Sequence, residues 1–169
     1  MKSKKLTMLA MSTALSILLM YLSSVLPTGQ LGFIAAASLL GFFAVIETRV
    51  SGALMLYAAS SILALLLVPR RTPVFLYIIF FGYYPIIKFF AERIRTRILS
   101  WCVKLFVFNA AFTVVFLLFK EVIFDISMLQ NSTVIAFAAG NIVFVLFDIG
   151  VSKLIWLYKT RLNRYFRHK

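Results

Sequence analysis

Six uninterrupted apolar runs, each close to the length of a membrane-crossing helix, constrain this sequence most: 6–26, 31–46, 50–68, 74–91, 98–119 and 133–158. A spanning helix needs about 20 apolar residues. The second run is short and is expected to borrow a residue or two from its ends. The last is long, and its end is expected to emerge at the headgroups. Barrel strands alternate in polarity over about ten residues, and these runs are longer and unbroken. The expected fold is an all-α integral membrane protein with six transmembrane helices in a single domain. Composition agrees: 63% of the 169 residues are hydrophobic and 14% are charged. Soluble domains have about half and a quarter. A soluble enzyme and a disordered tail protein are both excluded.

Short polar links separate the runs. Pro27-Thr28-Gly29-Gln30 reads as a tight turn and Glu47-Thr48-Arg49 as a very short link. Pro69-Arg70-Arg71-Thr72-Pro73 is a rigid loop bracketed by prolines, and Glu92-Arg93-Ile94-Arg95-Thr96-Arg97 is a basic loop. In the longest connection, 120–132, the spacing of Val122, Ile123, Ile126, Met128 and Leu129 predicts a short surface helix.

Lysine and arginine number 18 against 5 acidic residues, a net charge of +13. These cations flank the apolar runs, which assigns them to topology and anionic lipid rather than to nucleic acid. With six spans and an internal N-terminus, twelve fall inside: Lys2, Lys4, Lys5, Arg49, Arg93, Arg95, Arg97, Lys159, Arg161, Arg164, Arg167 and Lys169. Three fall outside (Arg70, Arg71, Lys120), and Lys88, Lys104 and Lys153 lie within runs. Cytoplasmic loops carry the excess of basic residues, so both termini are expected in the cytoplasm. Trp101, Trp156 and Tyr158 then anchor at the inner interface, and the basic tail 159–169 lies on the inner leaflet. The opening lysines and apolar run resemble a signal peptide. The run is long enough to span and no clear A-x-A site follows, so it reads as a retained first helix.

Catalytic and metal chemistry find little to work with. One cysteine, Cys102, excludes an internal disulfide and reads as a buried thiol, and one histidine, His168, lies in the tail. There is no paired-carboxylate spacing and no Gly-rich phosphate loop. Ser152 and Lys153 are adjacent, so on a helix they point apart. No catalytic residue, metal site or cofactor is expected.

Ionisable groups inside a span are costly and need partners. Lys88, Lys104, Asp148 and Lys153 lie, at 1.5 Å per residue, in the inner half. Lys88 reaches Glu92 one turn on. Asp148 is expected to form a buried ion pair with Lys104 or Lys88, either fixing helix register or serving a relay. A relay needs several carboxylates in series, and a single one is available here.

The outer half and mid-depth hold a different set: Thr28, Gln30, Arg70 and Arg71; Tyr57, Ser60 and Ser61; Tyr77, Tyr83 and Tyr84; Asn109 and Thr113; and Asn141. Pro85 is expected to kink its helix and free a carbonyl one turn back, near Phe81. Aromatic rings with a few hydrogen-bonding groups suit a small-molecule pocket. Gln30, Tyr57, Ser60, Tyr77, Tyr84, Asn109, Thr113 and Asn141 are the candidate ligand residues. The alternative is that Asn109 and Asn141 bond each other between helices. Small-residue seams at Ala10/Ala14, 35–38, 51–53, 58–61, 110–111 and 136–140 serve helix packing or partner contact.

The stretch Lys4-Lys5-Leu6-Thr7-Met8-Leu9-Ala10-Met11-Ser12-Thr13-Ala14-Leu15 sets a basic N-terminus before an A-x-x-x-A pair on the first of six helices. It resembles the substrate-binding S components of energy-coupling factor vitamin transporters. That resemblance implies that Ala10 and Ala14 dock on a transmembrane coupling subunit driven by ATPases, and that a ligand enters from outside. The segment Gly82-Tyr83-Tyr84-Pro85, then Lys88 and Glu92, resembles one in small bacterial membrane proteins of that layout. A different reading is a non-transport scaffold, similar in size and layout to the bacterial cell-shape protein MreD. A third is a handler of lipid phosphate through Arg70 and Arg71, or Arg93, Arg95 and Arg97.

Overall fold

A computed structural model describes the backbone of residues 3–26, 28–123 and 133–166, with side chains described except over 118–136 and beyond 160. Lys2, Pro27, the surface-helix positions Ile126, Met128 and Leu129, and the side chains of the tail from Arg161 onward lie outside the described residues. The chain divides into two compact units, Met1–Val115 and Phe116–Lys169. Six α-helices are described: α1 Ser3–Val25, α2 Gln30–Leu67, α3 Arg71–Leu76, α4 Tyr84–Ala91, α5 Arg97–Ile123 and α6 Thr133–Phe166. A π-helical turn, Tyr77–Phe81, joins α3 towards α4. By length and composition five stretches are able to cross a membrane: Ser3–Val25, Gln30–Leu67, Arg71–Ala91, Arg97–Leu117 and Phe137–Thr160.

The difference from the six expected runs lies in α2, whose 38 residues carry both the second and the third run. A straight helix of that length would extend about 57 Å, nearly twice a hydrocarbon core of about 30 Å. The helix is not straight. At Arg49 the backbone leaves the helical region, at φ 64° and ψ −166°. The arms on either side fold back on each other. A Cβ on Gly41 would lie 4.0 Å from the Gly82 carbonyl, and the Tyr57 ring fills the space beside Gly82 itself. On a straight helix Gly41 and Tyr57 would stand about 24 Å apart.

The buried clusters say the same. Ile34 and Ala37 share a cluster with Ala64 and Val68, and Ala44 and Val45 share another with Ala53 and Leu56. Gly52 permits the tight reversal: the Thr48 side chain occupies the space that a Cβ there would need. Thr48 Oγ1 in turn donates to the Ala44 carbonyl at 2.7 Å.

Helix α1 lies along both arms. Leu9 packs in the cluster near the reversal and Met20 in the cluster at the open ends. The helix therefore runs antiparallel to the first arm and parallel to the second. Ser23 Oγ closes the α1–α2 turn by donating to the Gln30 carbonyl at 3.0 Å.

The run expected at 74–91 begins earlier, at Arg71, and is interrupted midway. Pro85 stands in the first turn of α4 and lacks the N–H that would bond backwards. Upstream of it the Gly82 N–H donates five residues back, to the Tyr77 carbonyl at 2.7 Å. The expected break at Pro85 is present, and it takes the form of a π turn.

In the second unit α6 runs on through 159–166, into the expected basic tail. There the Phe116 and Phe137 rings meet edge to face at 5.9 Å.

Candidate functional site

Two polar clusters lie along 71–91. The first is neutral and centred on the π turn. Tyr77 is fully buried, and its hydroxyl shares a 3.0 Å hydrogen bond with Ser60 Oγ. Ser60 Oγ also donates to the Tyr57 carbonyl at 3.1 Å. The Tyr57 hydroxyl crosses to the Ile78 carbonyl, at 3.1 Å. The π turn shifts the local hydrogen-bond register, and this carbonyl receives a side-chain donor there. The sequence placed the freed carbonyl at Phe81; the bond found is at Ile78, three residues earlier.

Gly82 makes the assembly possible, because a Cβ there would strike the Tyr57 and Tyr77 rings. Tyr83 meets Tyr57 edge on at 6.3 Å. Tyr84, fully buried, meets Phe42 at 6.1 Å and Phe80 at 4.9 Å.

Within the first unit the expected ligand residues occupy several places. Tyr57, Ser60 and Tyr77 come together, and Tyr84 lies on the neighbouring aromatic stack. Ser61 is buried beside Ser60 in sequence, and among the described residues the Ser61 and Ser24 hydroxyls make no hydrogen bond. Gln30 sits at the α1–α2 turn. The Asn109 amide donates to the Leu105 carbonyl and the exposed Thr113 hydroxyl to the Asn109 carbonyl, each at 2.8 Å along α5. In the second unit the Asn141 amide donates to the Phe137 carbonyl at 2.8 Å.

The second cluster is charged. Lys88 is 1% exposed and its Nζ lies 2.9 Å from Glu92 Oε1, the i,i+4 pair the sequence predicts. Lys104, also buried, reaches the same oxygen from α5 at 3.4 Å and stands 5.2 Å from the centre of the Trp101 ring. Glu92 is thus a carboxylate shared by two buried lysines, and its side chain remains 47% exposed. Reading by depth missed the Lys104–Glu92 pair, since it placed Glu92 in the loop beyond the membrane. Asp148, in the second unit, is 1% exposed, as a costly intramembrane carboxylate should be. Lys153 is exposed.

Cys102, expected to be buried, is exposed. Among the described residues no group of three or more His, Cys, Asp or Glu is placed to hold a metal ion.

The small-residue seams divide as well. Ala37, Ser38, Gly52, Ala53, Ser60, Ser61 and Ala111 are buried in packing, whereas Ala10, Ala14, Ala138 and Ala139 are exposed. Beside Ala14 runs an open groove lined by Lys4, Met8, Met11, Leu15 and Leu18. These residues recur at three- and four-residue spacing, so they form one face of α1.

No protein-family model, no curated protein and no solved structure matches the chain.

Proposed function

We propose that the chain is a single-domain, six-span subunit of the cytoplasmic membrane with both termini inside. In this reading it binds a small, partly apolar metabolite and docks through α1 on a transmembrane coupling subunit driven by separate ATPases. The observation that carries the reading is the exposed small face of Ala10 and Ala14 beside the α1 groove. Small residues let a second helix approach closely in lipid, and this face is exposed while the seams at 37–38, 52–53 and 60–61 are buried. The chain carries no nucleotide motif, so energy must come from other subunits.

The reversal at Arg49 supports six crossings, because each arm of α2 is close to bilayer length. The excess of cations on one set of loops supports internal termini. Gln30, Tyr57, Ser60, Tyr77, Tyr84, Asn109, Thr113 and Asn141 remain the proposed ligand positions, with the Ser61 hydroxyl available beside them. The proposed buried ion pair of Asp148 with Lys88 or Lys104 rests on charge alone, and a charge-swap double-mutant cycle tests it.

Native mass spectrometry after mild solubilisation tests the whole reading. The expected result is a complex with a membrane subunit and ATPases, lost on Ala10→Leu/Ala14→Leu, together with a retained small molecule. Solitary chains without companions would sink it. A reporter fused after residue 169 is expected to act only in the cytoplasm.

A scaffold role is the second reading. It is favoured by the internal hydrogen bonds of Tyr57 and Tyr77, which tie up the phenols that a ligand would use. A companion protein without ATPase, and no bound small molecule, is its signature.

A further inference from the structure

We propose that the link between α4 and α5 binds the phosphate headgroup of an anionic phospholipid. The inference goes beyond the transport reading and holds equally for a scaffold. Residues 88–104 carry five cations, Lys88, Arg93, Arg95, Arg97, Lys104 and a single carboxylate against them, Glu92. That carboxylate is engaged by the two buried lysines. Three exposed arginines within five residues concentrate positive charge there, a surplus that suits an anion from outside.

Arg93, Arg95 and Arg97 are all exposed. Arg93 is held against the end of α4, with its guanidinium carbon 4.3 Å from the centre of the Phe89 ring. Exposed apolar side chains flank the arginines: Phe90 is 53% exposed before them, and Ile98 is 80% exposed after them. A free phosphate ion has no use for such a border, whereas a phospholipid lays its acyl chains on Phe90 and Ile98 and its headgroup on the arginines. Arginine suits phosphate through its planar, forked donors.

The test uses the full chain in nanodiscs of equal parts phosphatidylglycerol and phosphatidylcholine, extracted mildly and weighed by native mass spectrometry. Wild-type protein is expected to retain phosphatidylglycerol over phosphatidylcholine. Each arginine changed to glutamine should lower that retention about fivefold. The triple variant R93K/R95K/R97K should keep most of it, and Arg70→Gln/Arg71→Gln, in a different loop, should leave it unchanged. If one of these single glutamine variants fails to fold, the other two carry the test, with the same fivefold loss expected. Equal retention of both lipids would overturn the proposal. So would undiminished phosphatidylglycerol in a folded glutamine variant, an equal loss at Arg70/Arg71, or displacement of the lipid by inorganic phosphate.

Discussion

The π turn and the α4–α5 corner solve the same problem in opposite ways. Both bury polar groups on the broken stretch Arg71–Ala91, where water is scarce. Around Tyr77 the groups are neutral, and each named hydroxyl meets an oxygen at about hydrogen-bond length, on Ser60 or on the Ile78 carbonyl. Around Glu92 the groups are ionic, and the carboxylate keeps 47% of its side chain exposed while the lysines do not. A neutral cluster is cheap enough to seal completely, so shape decides its stability. A charged cluster costs several kcal/mol per ion to desolvate, so it sits where one partner still reaches a polar boundary. Shape should therefore govern mutations at the first site, and charge those at the second.

Glu92→Gln should produce the largest loss. It leaves two buried lysines without their shared anion, and about 3 kcal/mol is expected, the low end for a broken buried pair because Glu92 is half exposed. Thermal unfolding in detergent measures it, and a neutral result would mean that the cluster is not held by charge. Gly82→Ala comes next, at about 2 kcal/mol, because a methyl group must displace two packed rings. Pairing it with Tyr57→Leu should recover part of the loss; no recovery would show that the backbone, not ring packing, demands the glycine. Ser60→Ala removes the partner of a sealed phenol and should cost about 1 kcal/mol. Its ultraviolet spectrum should report the altered tyrosine environment, and an unchanged spectrum would place Tyr77 elsewhere. Smallest is Tyr57→Phe, roughly 0.6 kcal/mol, the average for an interhelical hydrogen bond in a membrane. Infrared bands of carbon-13-labelled isoleucine carbonyls should shift in this variant, and should stay fixed if the hydroxyl bonds another group.

Axial position was readable from the sequence and azimuth was not. Run boundaries near 26, 68 and 91 fall close to helix ends because Pro, Gly and charged residues stop apolar runs abruptly. The short Glu47-Thr48-Arg49 link was read as a break between runs, and Arg49 is where the backbone leaves the helix. Which face points inward is another matter. A helix in lipid is apolar all round, so periodicity no longer separates core from surface. Cys102 illustrates this: its depth suggested burial, yet it faces outward. The same limit hid the reach of Lys104 to Glu92, which depends on the rotation of α5 against α4. The Tyr57–Ile78 bond escaped because Pro85 announces a break without saying how far upstream the helix adapts. Gly82, just before Tyr-Tyr-Pro, was the available clue that rings would crowd the backbone there.

Arg49 carries a mechanical consequence. One residue at the bend leaves no spare chain with which one arm of α2 can slide past the other. The two arms are joined like the prongs of a fork, so a shift of one along its axis carries the other with it. Tyr57 and Ser60 stand on the second arm, so a displacement of the first arm reaches them through a single-residue joint.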